Sequence, residues 1–169
     1  MTYRNKFDLT GRCSEQGFKA EDVFRSTVNS FFYSALGQCD ATIMKTGFEE
    51  ELEHKDFHCD IGFTVDVKAV KNDKTIWIEY KNVRGEKGWL YGEASHIAFE
   101  RPKGFILVNR TDLIDLCDKL VDTSIIVDNP KDSLYKLYSR TKWGRQDLLT
   151  TILPKDLLTI PYISIKKHK

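Results

Sequence analysis

Between residues 18 and 36 the apolar side chains recur at helical spacing: Val23, Phe24, Val28, Phe31, Phe32, Ala35 and Leu36 share one stripe, and Gly37 stands where a helix would end. A second stripe, Leu113, Leu116, Cys117 and Leu120, predicts a helix over 112–121, with Thr111 offering an N-cap oxygen. Between them the period changes to two. Residues 61–70, 75–82, 95–100 and 104–109 are rich in Val, Ile, Phe and Trp, as strands are. A short strand at 125–127 is expected within a basic C-terminal part that is otherwise hard to read. Helix, strands, helix in this order predicts an α/β (α+β) domain, a central mixed sheet flanked by helices.

No internal repeat, low-complexity stretch or Pro/Gly/Ser-rich linker interrupts the 169 residues, so one domain, 1–169, is expected. A 41% hydrophobic content suits one well-formed core. No apolar run approaches the roughly 20 residues that span a bilayer, and Met1 to Lys6 lack the apolar stretch of a signal peptide. A soluble, cytoplasmic protein with no membrane partner is expected. Cys13, Cys39, Cys59 and Cys117 form no C-x-x-C pair, which points away from a zinc site or a disulfide framework.

Lys plus Arg number 26 against 25 Asp plus Glu, so no global basic charge marks a nucleic-acid binder. The distribution says more. Residues 40–66 hold eight acids and two lysines, whereas 131–169 hold nine Lys or Arg and three Asp. That segregation suits a metal-binding region beside a phosphate-binding one, or two solvated stretches.

The stretch VDVKAVKNDKTIWIEYK, residues 65–81, reads as two strands around a polar turn at Asn72 and Asp73. A two-residue hairpin turn there would set Asp66 directly opposite Glu79, with Cβ atoms about 4.5–5.5 Å apart. Alternation puts Val65, Val67, Ala69, Ile76, Ile78 and Tyr80 on a core face, and Thr64, Asp66, Lys68, Trp77, Glu79 and Lys81 on the other. Opposed carboxylates repel unless something neutralises them, and a divalent ion with oxygen ligands, typically Mg²⁺, would do so. Such a site suits phosphodiester hydrolysis, with Lys81 orienting water or stabilising developing charge. The plain alternative is a half-solvated sheet face.

Asp66, twelve residues, then Glu79-Tyr80-Lys81 resembles the motif of the PD-(D/E)xK nuclease superfamily, with Val65 at the proline position. A preceding helix bearing Glu21, in GFKAEDVF, is similar to the Holliday-junction-resolvase-like branch. The stretches EHKDFHCD, VDVKAVK, IEYKNVRGEKGWLYGEASHIAFE and GRQDLLTTI resemble small nuclease-like proteins of tailed bacteriophages. The resemblance, over residues 15–160, implies a restriction-endonuclease-like core. It also implies Mg²⁺ or Mn²⁺ held by Asp66, Glu79 and the main-chain carbonyl of Tyr80, with Glu21 an outer ligand through water. The expected activity is a DNA endonuclease acting on double-stranded or branched DNA, in the cytoplasm of an infected host if the chain is of phage origin. A catalytically silent nucleic-acid-binding protein of nuclease fold and an RNA-directed nuclease stay open, as does a homodimer.

Secondary candidates surround this pair. Glu49, Glu50, Glu51, Glu53, His54, Asp56, His58 and Asp60 could hold a second metal or form a solvated loop, and Asp60 is the substitute for Asp66 should the register differ. Arg84, Lys87, Trp89 and Tyr91 in the glycine-rich segment 82–92 could grip phosphate and stack on a base, or Trp89 and Tyr91 could be core anchors. Lys136, Arg140, Lys142, Trp143 and Arg145 could contact a nucleic-acid backbone. His96 could serve as a base or as hydrogen-bonded structure.

Overall fold

The computed structural model describes residues 12–36, 43–46, 49, 53–59, 62–69, 72–139 and 144–167. The first amphipathic stripe folds as α1, Arg12–Leu36, longer at its start than the apolar spacing indicates. Its outer side carries a Glu15 to Lys19 ion pair of 2.7 Å, four residues apart, and its inner side buries Ala20, Phe24, Thr27 and Val28. The second helix, α2, is Arg110–Leu120. Its cap is Asn109, whose side-chain oxygen accepts from the Thr111 backbone N–H at 2.8 Å, so the cap lies two residues before the expected Thr111.

Ten strands surround these helices among the described residues: β1 Ile43–Lys45, β2 Phe57–Cys59, β3 Phe63–Lys68, β4 Ile76–Lys81, β5 His96–Arg101, β6 Gly104–Asn109, β7 Asp122–Val127, β8 Lys136–Ser139, β9 Leu148–Ile152 and β10 Tyr162–Lys166. They form two sheets. The first runs β1-β2-β3-β5-β6-β10 and is antiparallel except for the parallel pair β3 and β5. The second runs β4-β9-β8-β7, with β7 and β8 parallel. The expected α+β class with a mixed sheet is therefore present.

Alternation divides the first sheet between two cores. Phe57, Val65, Val67, Ala98, Phe105 and Leu107 face α1, where Phe24 meets Phe57 and Phe105 with ring centroids 5.7 and 5.1 Å apart. Each such buried phenyl contributes roughly 1.5–3 kcal/mol from area removed from water. The opposite face, with Ile97, Phe99 and Val108, packs against Ile76, Ile78 and Ile152 of the second sheet and Leu113, Leu116 and Cys117 of α2. Asp66 and Lys68, alternating with Val65 and Val67, point toward this second side.

The expected hairpin between β3 and β4 does not form. Both edges of β3 are already taken, by β2 antiparallel and β5 parallel, so β4 has no edge on which to pair and crosses to the second sheet beside β9. The β3 to β5 junction is fixed by a reciprocal clamp: Thr64 N–H donates to Ser95 Oγ at 3.0 Å, and Ser95 N–H donates to Thr64 Oγ1 at 2.9 Å. The turn residue Asn72 closes an Asx turn, its side-chain oxygen accepting from the Lys74 and Thr75 N–H groups at 2.9 Å each. Asp66 and Glu79 thus sit on different sheets and are not cross-strand partners.

Candidate active site

The carboxylate that meets Asp66 is Asp56, the residue before β2. The β2 and β3 ladder ends at the pair Phe57 and Val65, and the Asp56 N–H also donates to the Val65 carbonyl, at 2.8 Å, which holds Asp56 at the end of the ladder. Asp56 Oδ2 also accepts from the Val67 N–H at 2.6 Å. Two carboxylates are therefore brought together at the start of β2, though not as the cross-strand pair expected for Asp66 and Glu79.

Asp66 is 1% exposed, and two cations converge on it. Lys68 Nζ lies 2.6 Å from its Oδ1, and Arg110 Nη2 lies 3.6 Å from its Oδ2. The Lys68 ammonium rests 5.0 Å from the centre of the Trp89 ring, which supports it as a cation over an aromatic face. Arg110, the first residue of α2, is anchored in turn: Nε donates to the Ala94 carbonyl, and Nη1 to the carbonyls of Trp89 and Leu90. Burial pushes the Asp66 carboxyl up, while Lys68 and Arg110 hold it down.

Asp56 is pushed up to about 7, chiefly by burial and then by the Asp66 charge, against the pull of Lys68 and the Val67 N–H. Near neutral pH Asp56 is therefore only partly ionised, as expected for a carboxyl that is buried and forced against a like charge. His54, within electrostatic reach of Lys68 and Arg110, has a left-handed backbone conformation, φ 58°, rare for a residue with a Cβ. Burial, then the Lys68 and Arg110 charges, push its pKa down to about 4, so the imidazole is neutral at pH 7.

A stability effect follows from Asp56. Its pKa is raised on folding, so ionising it costs the folded chain more than the unfolded one. Below about pH 4 both states are protonated and the cost vanishes; between about pH 4 and pH 7 it grows, and above that it is complete. Asp56→Asn should therefore melt above wild type at pH 8, by an amount on the order of a few kcal/mol, with the gap closing as pH falls toward 4. Paired melting curves across that range check this, and a pH-independent gap would show that Asp56 carries no such penalty.

The other expected site residues are distributed as follows. Glu79 is half-buried on β4, and its Oε2 accepts from the Trp89 N–H at 3.1 Å. Burial raises its pKa, with Asp147 and Asp66 adding to the rise and the Trp89 N–H and Lys68 opposing it. It stands within electrostatic reach of the pair without belonging to it. Lys81 ends β4 exposed, after an irregularity in the pairing with β9 between Glu79 and Lys81, and its backbone forms an isolated bridge to Lys87. The Tyr80 carbonyl accepts from the Gly88 N–H at 2.9 Å, so it closes the loop, and the Tyr80 ring is buried in the core.

Glu21 does not face Asp66. Helix α1 covers the face of β3 from which Val65 and Val67 point, so Glu21 stands behind that strand, its Oε2 accepting from Lys45 Nζ at 2.9 Å. In segment 82–92, Arg84 and Lys87 are exposed on a loop folded around Asn82, whose Oδ1 accepts from the N–H groups of Arg84 and Glu86. Trp89 is 9% exposed and packs edge-on to Phe99, which makes it a core anchor. Arg145 pairs with the buried Asp147 at 3.2 Å, while Arg140, Lys142 and Trp143 lie outside the described residues. His96 is held by Ser95 Oγ at 2.9 Å, with Phe63 5.1 Å from its ring. In the acid-rich approach, Glu53 pairs with Lys55 at 2.8 Å, and Glu50, Glu51 and Asp60 lie outside the described residues.

Sequence reasoning gave Lys68 no role and placed Asp56 only in a diffuse acidic group. The signal was available: Asp66-Val67-Lys68 has the same acid-x-lysine spacing as Glu79-Tyr80-Lys81. Arg110 had none, since nothing local ties it to Asp66.

Among the described residues no group of three or more His, Cys, Asp or Glu side chains is gathered to hold a metal ion. Asp66 Oδ2 is nonetheless buried with no hydrogen-bond partner, beside a second carboxylate. Two carboxylates, one with an oxygen that makes no hydrogen bond and has only Arg110 Nη2 3.6 Å away, are the kind of oxygen donors Mg²⁺ or Mn²⁺ takes while keeping several of its waters. Among the described residues no helix is long and apolar enough to cross a membrane. The chain matches no family model, no curated protein and no solved structure.

Proposed function

We propose that this protein is a metal-dependent nuclease that hydrolyses DNA phosphodiester bonds at Asp56, Asp66 and Lys68. The observation that carries the reading is the meeting of Asp56 with the buried Asp66, whose Oδ2 makes no hydrogen bond and whose Oδ1 has the Lys68 ammonium 2.6 Å away. On this reading the resemblance to the PD-(D/E)xK superfamily moves one hairpin earlier: Asp56 supplies the first acid, and Asp66-Val67-Lys68 the acid-x-lysine.

Mg²⁺ or Mn²⁺ held by Asp56 and Asp66 would supply charge neutralisation at the phosphate and a more acidic water. The remaining work falls to the chain. The Val67 N–H, 2.6 Å from Asp56 Oδ2, fixes the orientation of that carboxylate. Lys68, on a flexible stem, can move its ammonium from Asp66 onto a phosphate oxygen as charge develops. Arg110, whose Nη2 lies 3.6 Å from Asp66 Oδ2, offsets part of the Asp66 charge. Arg84 and Lys87, exposed on the adjoining loop, offer charge to the DNA backbone.

A second reading has one observation in its favour: Lys68 and Arg110 already neutralise Asp66 without a metal, as a silent DNA-binding protein would permit. Calorimetric titration with Mn²⁺ separates the two. The enzyme binds the ion and cleaves plasmid, single-stranded or branched DNA only in its presence; the silent protein binds DNA alone. Including RNA in the same cleavage panel decides the sugar preference.

A further inference from the structure

The space where the two sheets part, next to Lys68, forms a cavity of about 370 Å³. Its lining holds two aromatic pairs: the half-buried Trp77 with Tyr138, ring centroids 5.9 Å apart, and the largely buried Trp89 with Phe99, 6.0 Å apart. Its polar groups lie at the margins, with Lys68 at the candidate active site and the Arg145 and Asp147 pair also in the lining. Asp147 is 3% exposed, and its contacts to Arg145, 3.2 and 3.3 Å, are long for charged groups, so a ligand's donors could share its oxygens.

We propose that this cavity binds one unpaired nucleobase of the strand whose phosphate lies at Lys68. Planar aromatic walls suit a flat π-system, and buried carboxylate and guanidinium groups suit the donors and acceptors on a base edge. A base within a duplex has both its stacking faces and its pairing edge occupied, so only an unpaired or extruded base can enter. Lys68 and Trp89 belong both to this cavity and to the environment of Asp66, which sets the base beside the phosphate to be cut. The proposal deepens the nuclease reading and rests on it for that phosphate; it makes the substrate a strand with unpaired nucleotides.

The test is a titration of the full chain, without metal, with deoxyguanosine and deoxythymidine 5′-monophosphates, read by tryptophan emission. Trp77 and Trp89 line the cavity and report on it directly. The nucleotides should quench saturably and 2-deoxyribose 5-phosphate should not. Tyr138→Ala, which removes one stacking wall, should weaken nucleotide binding about tenfold. Leu149→Trp fills the cavity from a half-buried strand position and should abolish binding, which guards against a Tyr138 variant that fails to fold. Equal quenching by the sugar phosphate, or unchanged binding in a folded Leu149→Trp, would overturn the proposal. The assay contains no cleavage step, so its outcome is independent of the nuclease reading: nucleotide binding in a protein that never cuts DNA sinks that reading alone. Wild-type cleavage of single-stranded and branched DNA by a Leu149→Trp chain that binds no nucleotide sinks this one alone.

Discussion

Lys68→Ala should lower metal-dependent DNA cleavage by roughly 10²–10³-fold, while Lys81→Ala leaves it within about twofold. Both lysines follow an acid by two residues, so sequence alone cannot choose between them. The structure separates their surroundings. Lys68 lies against Asp66 and over Trp89, whereas Lys81 is exposed at the end of β4 beyond an irregularity in its pairing with β9. Because Lys68 would act on charge that develops in the transition state, its loss should fall mainly on kcat, with DNA affinity little changed. Asp66→Asn and Asp56→Asn should reduce turnover to background. Glu79→Gln should keep substantial activity, since Glu79 accepts the Trp89 N–H and a glutamine oxygen can do the same. Single-turnover rates of the five variants, with contaminating nuclease excluded, decide the matter. Equal losses for Lys68→Ala and Lys81→Ala, or full activity in Asp56→Asn, would return the site to β4.

The largest stability effect is expected at Arg110. Arg110→Ala strips a donor from the carbonyls of Trp89, Leu90 and Ala94 and removes a positive charge from beside the buried Asp66. Breaking a buried pair from one side typically costs about 3–5 kcal/mol, because the remaining charge stays buried without compensation. For a chain of this length that corresponds to a fall in Tm of roughly 10 °C. The double variant Arg110→Ala with Asp66→Asn should recover part of the loss, since the stranded charge is then gone. Denaturant unfolding of the two singles and the double measures the coupling. Strict additivity would mean that Arg110 holds the loop carbonyls and contributes nothing to Asp66.

Much of the site's position was legible in the chain. The alternation from Thr64 to Lys68 put Asp66 and Lys68 on one face, and the physical demand for opposed carboxylates to be neutralised identified the kind of pair to look for. The chosen partner differed for a topological reason. A turn at Asn72 and Asp73 reads as a hairpin when only the two flanking strands are considered, yet whether β4 can pair with β3 depends on whether β3 still has an edge. That edge was claimed by β5, which arrives fifteen residues after β4 and is locked by the Thr64 and Ser95 clamp. The same blindness hid β8, β9 and β10, whose residues gave no clear periodicity because the second sheet and the sheet edges bury them unevenly.

By itself the sequence determined what local periodicity controls. Both helices lie where the 3.6-residue stripes put them, strands β3 to β6 lie where the two-residue alternation put them, and Asp66 was set on the face opposite Val65 and Val67. Tertiary structure alone decided which strand edges meet, and with that which charges meet. It brought Asp56 against Asp66, carried Arg110 in from the start of α2, sent Glu79 to another sheet, and placed α1 with Glu21 behind β3. The physical reason is that side-chain direction repeats along a single strand and is written in its own residues, whereas pairing is a competition among all strands for a limited number of edges.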